Sequence, residues 1–133
     1  MTLTRVQTKA IEKDSGVWVR LPAEKVWLAR DGDRFLGWVI QDEVLGKHEY
    51  IHWALALNAD GSVRQIEILV YNETYGYQVR EATWRAQFTG KKHGAELKLG
   101  DDIKNISGAT LSCRHITDGV KRLLSFYEIA LKK

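Results

Sequence analysis

The sequence predicts an α+β domain: a curved antiparallel β-sheet covered by helices, with a long helix at the C-terminus. Three observations predict it. A capping signature opens a helix near the N-terminus. Short apolar segments separated by Asp, Asn and Gly turns fill the first half. An apolar stripe with helical spacing occupies the last segment. With 133 residues, one domain can bury a core without disulfides or a structural metal.

The elements follow in order. Residues 4–14 read as a helix, with Thr4 as N-cap, Gln7 three residues on and Gly16 past the end. Val6, Ala10 and Ile11 supply a thin apolar stripe. Strands are expected at 17–20, 25–30, 34–44, 49–57 and 62–70. Asp31-Gly32-Asp33 and Asn58-Ala59-Asp60-Gly61 are turn chemistry, so hairpins join these strands into an antiparallel meander. His52 and Trp53 are neighbours on a strand and point to opposite faces. A turn at 72–76 leads into a helix over Val79–Phe88, with Trp84 and Phe88 on one face and Gly90 closing it. Residues 91–106 are irregular, with Leu97 and Leu99 available for packing. The last helix spans Ser112–Ala130, and Ile116, Val120, Leu123, Leu124, Tyr127 and Leu131 form its apolar stripe.

Composition excludes several classes. The net charge is +3, from 20 basic and 17 acidic residues that are interspersed, which argues against nucleic acid or a lipid surface as partner. One cysteine, Cys113, rules out an intrachain disulfide, and no Cys/His spacing fits zinc or a c-type haem. A buried, inert thiol is the simpler reading of Cys113, although a helix N-terminus can lower a thiol pKa. No apolar run reaches the roughly 18 residues of a membrane span. No Ser-His-Asp order, nucleophile elbow or Gly-rich nucleotide loop is present. His48, His52, His93 and His115 do not converge, and Asp42-Glu43 and Asp101-Asp102 read as solvated surface pairs. No catalytic and no metal-ligating residue is assigned.

The run Ser107-Gly108-Ala109-Thr110-Leu111-Ser112, at the start of the last helix, is the strongest chemical feature. Unpaired N–H groups and the positive end of the helix dipole make such a place a seat for phosphate. Gly108 and Ala109 let a bulky ligand approach the backbone. The alternative is a paired Ser/Thr helix cap.

Ser-Gly-Ala-Thr resembles the flavinylation motif of the FMN-binding domain family. That family includes the small flavin-carrying subunits of bacterial sodium-pumping NADH:quinone oxidoreductases and of related ferredoxin-linked complexes. A second match precedes it. Glu73-Thr74-Tyr75-Gly76 stands where the family has Glu-Thr-Pro-Gly after a strand. The following aromatic helix ends Phe88-Thr89-Gly90-Lys91, as the family's ends Phe-x-Gly-Lys. Gly46-Lys47-His48-Glu49-Tyr50-Ile51 matches a glycine-rich turn into a strand. The resemblance covers about residues 34–130. Residues 1–33, a helix plus strands, either join the flavin site or buttress the sheet.

The resemblance implies FMN esterified through its phosphate to Thr110, with Ser112 as the chemical alternative. A separate flavin transferase makes the bond. Ser107, Gly108, Ala109 and Leu111 would hold the phosphate and ribityl chain. Glu73 and Thr74 would approach the ring system, and Tyr75, Gly76, Tyr77, His48 and Trp84 would border it. An electron-transfer module with redox partner proteins is implied, rather than an enzyme with its own substrate. A flavin-dependent reductase and a non-redox binding domain are the alternatives. A periplasmic or extracytoplasmic location is implied too, reached by a signal or anchor absent from these residues. Three departures stand out: Tyr75 replaces Pro, Tyr77-Gln78 replaces Leu-Gly, and Lys104 occupies a position where the family often has Asp, with Asp102 and Asn105 beside it.

Overall fold

The computed structural model describes residues 1–20, 23–73 and 77–132. Helix α1 (Arg5–Ser15) begins at the expected capping box. Thr4 Oγ1 accepts the Gln7 N–H, Gln7 Oε1 accepts the Thr4 N–H, and Gly16 closes the helix in the left-handed conformation. Four strands follow: β1 (Lys25–Asp31), β2 (Arg34–Leu45), β3 (Tyr50–Asn58) and β4 (Val63–Val70). They pair antiparallel in the order β1-β2-β3-β4, an open meander. No strand forms over 17–20. There Val19 N–H donates to Glu12 Oε2, and the Arg20 guanidinium lies 2.5 Å from Glu43 Oε1 and 4.4 Å from the Tyr50 ring centre. Side chains hold that segment in place of a ladder.

One face of the sheet is the core. Ile40, Asp42 and Val44 of β2 and Ile51, Trp53, Leu55 and Leu57 of β3 are buried. Their neighbours Gln41, Glu43, His52, Ala54 and Ala56 are half-buried on the other face, as the two-residue period requires. The edge of β4 is met by backbone: Val63 N–H donates to Lys91 O and Gly90 N–H to Val63 O, both at 2.8 Å.

The Val79–Phe88 helix is broken. A 3₁₀ turn (Tyr77–Arg80), a single α-turn α2 (Ala82–Arg85) and a second 3₁₀ turn (Ala86–Phe88) replace it. The long helix α3 runs over Thr110–Phe126 and ends in a π-turn at Tyr127–Leu131. Its start falls two residues earlier than the sequence predicts, which brings Thr110 into its first turn.

Helix α3 lies close on the sheet because Gly119 faces Trp53 and Val44. A Cβ there would stand 2.8 Å from Trp53 Cζ2 and 3.1 Å from Val44 Cγ1. Gly119→Leu is therefore expected to cost roughly 1–3 kcal/mol through overpacking, read as a lower denaturation midpoint.

A buried polar cluster fixes the same helix from below. Arg122 Nη1 donates to Glu24 Oε1 at 3.1 Å, Arg122 Nη2 donates to Asp42 Oδ2, and Trp53 Nε1 donates to the same Asp42 oxygen at 3.1 Å. Burial, then the neighbouring Asp42 carboxylate, pushes the Glu24 carboxyl up from 4.5 to about 8. One arginine, one carboxylate and one retained proton leave the cluster neutral near pH 7. Because the folded pKa lies above the unfolded one, Glu24 stabilises the fold fully below about pH 4.5, and that contribution is lost as the pH rises to about 8. Thermal melts across this window are expected to show a falling midpoint that flattens in Glu24→Gln.

Candidate functional site

Three segments meet at the N-terminal end of α3: the β2–β3 turn at 46–49, the residues after β4, and the loop 104–109. His115 Nδ1 hydrogen-bonds the Leu45 carbonyl and ties the first segment to α3. Tyr71 Oη lies 3.1 Å from Ser112 Oγ and ties the second. The third is gripped at Lys104. Trp84 Nε1 donates to its carbonyl at 2.7 Å, and its N–H donates to Gln87 Oε1 at 2.7 Å.

The loop then turns through Gly108, at φ 86°, where a Cβ would meet nothing within 4 Å. The N–H of Ala109 bonds the Ile106 carbonyl at 3.0 Å. Helix α3 starts with Ala109 in the N-cap position and no side-chain cap. The Ser/Thr cap alternative is thereby corrected: neither hydroxyl caps the helix. The first N–H groups of α3 carry the positive end of its dipole.

The two candidate hydroxyls differ sharply. Thr110 is exposed, and its Oγ1 accepts the Asn105 Nδ2–H at 3.0 Å. Ser112 is 4% exposed and engaged by Tyr71. Ser107, Gly108 and Leu111 are exposed around Thr110, while Ala109 is buried.

Glu73 sits beside the β2–β3 turn, and its Oε1 accepts the N–H of Glu49 at 2.6 Å and that of His48. These backbone donors hold its carboxyl below the usual carboxylate range. That oxygen therefore shapes the turn, and His48 is exposed on it. Thr74, Tyr75, Gly76 and the side chain of Tyr77 lie outside the described residues. Trp84 is 5% exposed and packs edge-on against Phe88 at 5.2 Å, while its ring N–H serves the loop at Lys104.

Other expectations resolve plainly. Cys113 is buried, and burial pushes its thiol pKa up, which agrees with an inert thiol. His52 and Trp53 do face opposite sides. Asp42 is no solvated surface acid, since it binds Arg122 and Trp53 in the core. Asp102 accepts the Leu97 and Lys98 N–H groups and pairs with Lys91. Sequence reasoning missed Asn105, Gln87 and Tyr71. Only the proximity of Asn105 to the motif could have signalled one of them.

The residues present fit a phosphate-anchored flavin. An exposed hydroxyl opens an uncapped helix beside a glycine with free space around it. In addition, Gln78 Oε1 is buried without a hydrogen-bond partner among the described residues, two positions after the Glu-Thr-Tyr-Gly run.

The chain belongs to the FMN-binding domain family, whose model matches residues 46–125. Its cofactor is FMN. Among curated proteins it is similar to one subunit of the proton-translocating ferredoxin:NAD(+) oxidoreductase complex of Clostridium ljungdahlii. The identity is 27% over 121 residues, covering 85% of this chain and 65% of that protein. It is also similar to the corresponding subunit of the Na(+)-translocating ferredoxin:NAD(+) oxidoreductase complex of Acetobacterium woodii. There the identity is 26% over 136 residues, covering 92% of this chain and 66% of that protein. The chain thus spans just under two thirds of the length of these relatives. Its fold matches NqrC of Shewanella oneidensis with a TM-score of 0.59 at 21% identity, over 95% of this chain and 62% of that one.

Proposed function

We propose that this chain is an electron carrier whose FMN is joined by a phosphoester to Thr110, and that it relays electrons between protein partners. The observation that carries the reading is the position of Thr110: an exposed hydroxyl in the first turn of an uncapped helix, within the Ser-Gly-Ala-Thr run. Its neighbour Ser112 is buried and already hydrogen-bonded, which supports Thr110 as acceptor. The bound flavin supplies one- and two-electron transfer. The chain's own residues place and hold it. The first N–H groups of α3 would hold the phosphate, with Ser107, Gly108, Ala109 and Leu111 beside it. His48, on the turn braced by Glu73, would border the ring; Thr74, Tyr75, Gly76 and Tyr77 are proposed as its other neighbours on sequence grounds.

The named relatives belong to ferredoxin:NAD(+) oxidoreductase complexes, which supports redox proteins as donor and acceptor. A flavin transferase is the maturation partner. Work at the extracytoplasmic face of a membrane completes the proposal; none of the described helices is long and apolar enough to cross one. The test is intact mass after co-expression with a flavin transferase. A gain of one FMN less water, with a flavin absorbance that bleaches on reduction, supports the proposal. An unchanged mass overturns it.

A further inference from the structure

The side chain that reaches the candidate acceptor hydroxyl of Thr110 is the neutral amide of Asn105. We infer that Asn105 is a positioning residue for flavin attachment: its Nδ2–H holds Thr110 Oγ1 in the orientation that receives the phosphate. The inference rests on the attachment reading above.

The geometry is direct. A threonine oxygen has two lone pairs and one proton. Asn105 Nδ2 engages one lone pair at 3.0 Å. The other lone pair remains for bonding to phosphorus, on a side chain that is exposed. The donor is itself held on both sides. Before it, both backbone groups of Lys104 are bound by Trp84 and Gln87. After it, the Ile106 carbonyl accepts the Ala109 N–H at 3.0 Å. The main chain on either side of the amide is therefore held in place before flavin arrives. It also brings no negative charge to a place where an anion must approach.

A phosphate monoester does not esterify an alcohol unaided in water, so the donor is a flavin whose phosphate carries a phosphoanhydride, as in a flavin dinucleotide. The Thr110 Oγ1–phosphorus bond forms as the phosphoanhydride P–O bond breaks. The leaving nucleoside monophosphate takes the electron pair, and the hydroxyl proton passes to a base of the transferase. No electron is gained or lost by the flavin.

Two variants separate the role of the donor from mere shape. Asn105→Ala removes the amide; Asn105→Asp keeps its outline and removes the N–H. The full chain, purified without flavin, is incubated with a flavin transferase and flavin dinucleotide, and incorporation is followed by intact mass. Both variants are expected to load about tenfold or more slowly than the parent, the order of one lost hydrogen bond in a transition state. Both are expected to reach the same final stoichiometry with the melting midpoint unchanged. A second readout needs no flavin. The Asn105 side-chain amide resonances are expected to move in Thr110→Val and to stay in Thr110→Ser. Parent-like loading rates in both variants, a parent-like rate in Asn105→Asp alone, or an amide signal indifferent to Thr110→Val would each overturn the inference. A parent chain that gains no flavin overturns instead the attachment reading beneath it.

Discussion

Thr110→Ala is expected to lose covalent flavin completely while the domain stays folded. The Thr110 side chain is exposed and, among the described residues, its hydroxyl bonds Asn105, so its removal is expected to change stability by no more than about 0.5 kcal/mol. Ser112→Ala provides the contrast. It breaks the buried contact with Tyr71 at a cost of roughly 1 kcal/mol and is expected to keep the flavin. Mass spectrometry and in-gel fluorescence read attachment; a thermal melt reads the fold. A Thr110→Ala chain that still carries one flavin, with the label mapped to Ser112, would reverse the assignment.

The largest expected loss of stability comes from Arg122→Met. Among the described residues it leaves the buried Asp42 carboxylate with Trp53 and the Glu24 carboxyl as partners. Removing one member of such a cluster costs about 3–5 kcal/mol, a large share of the roughly 5–15 kcal/mol that holds a domain together. For a chain of this size that is a fall of about 10–20 °C in the melting midpoint. Adding Glu24→Gln and Asp42→Asn to the same chain is expected to recover part of the loss, because no buried charge is then left unmatched. A single variant that melts with the parent would show that the cluster contributes nothing.

The elements most legible in the sequence were those with local signals. Thr4 and Gln7 announced α1, Asp31-Gly32-Asp33 and Asn58–Gly61 announced hairpins, and the stripe from Ile116 to Leu131 announced α3. Segment 17–20 misled because Val17 and Val19 have strand propensity, whereas side chains decide its path: Glu12 of the preceding helix, and Glu43 and Tyr50, which are distant in sequence. The helix over Val79–Phe88 shows the same limit. Its Trp84 and Phe88 spacing is helical, but Arg85 reaches the Ile66 carbonyl and the backbone at 90–91 bonds Val63 of β4, so the segment is drawn into short turns along the sheet edge.

The site divided in the same way. The family motif could be read from Ser107 to Thr110, since it is contiguous. The contrast between Thr110 and Ser112 depends on which way the first turn of α3 faces, and no string of letters carries that. Nor could the sequence show that Asp42, written beside Glu43 like any surface pair, meets Arg122 and Glu24 in the core.

The double grip on Lys104 has a mechanical result. Residues 97–102 are knitted together by Asp102 through the N–H groups of Leu97 and Lys98, and at 104 the main chain is pinned from two sides. Strain introduced upstream, for instance by a short insertion at the exposed tip around Gly94, would be absorbed before that clamp. The exposed tip at Gly94, where an added Cβ would meet nothing within 4 Å, is thus the place to graft a tag or a crosslinking handle and still leave the acceptor hydroxyl where it stands.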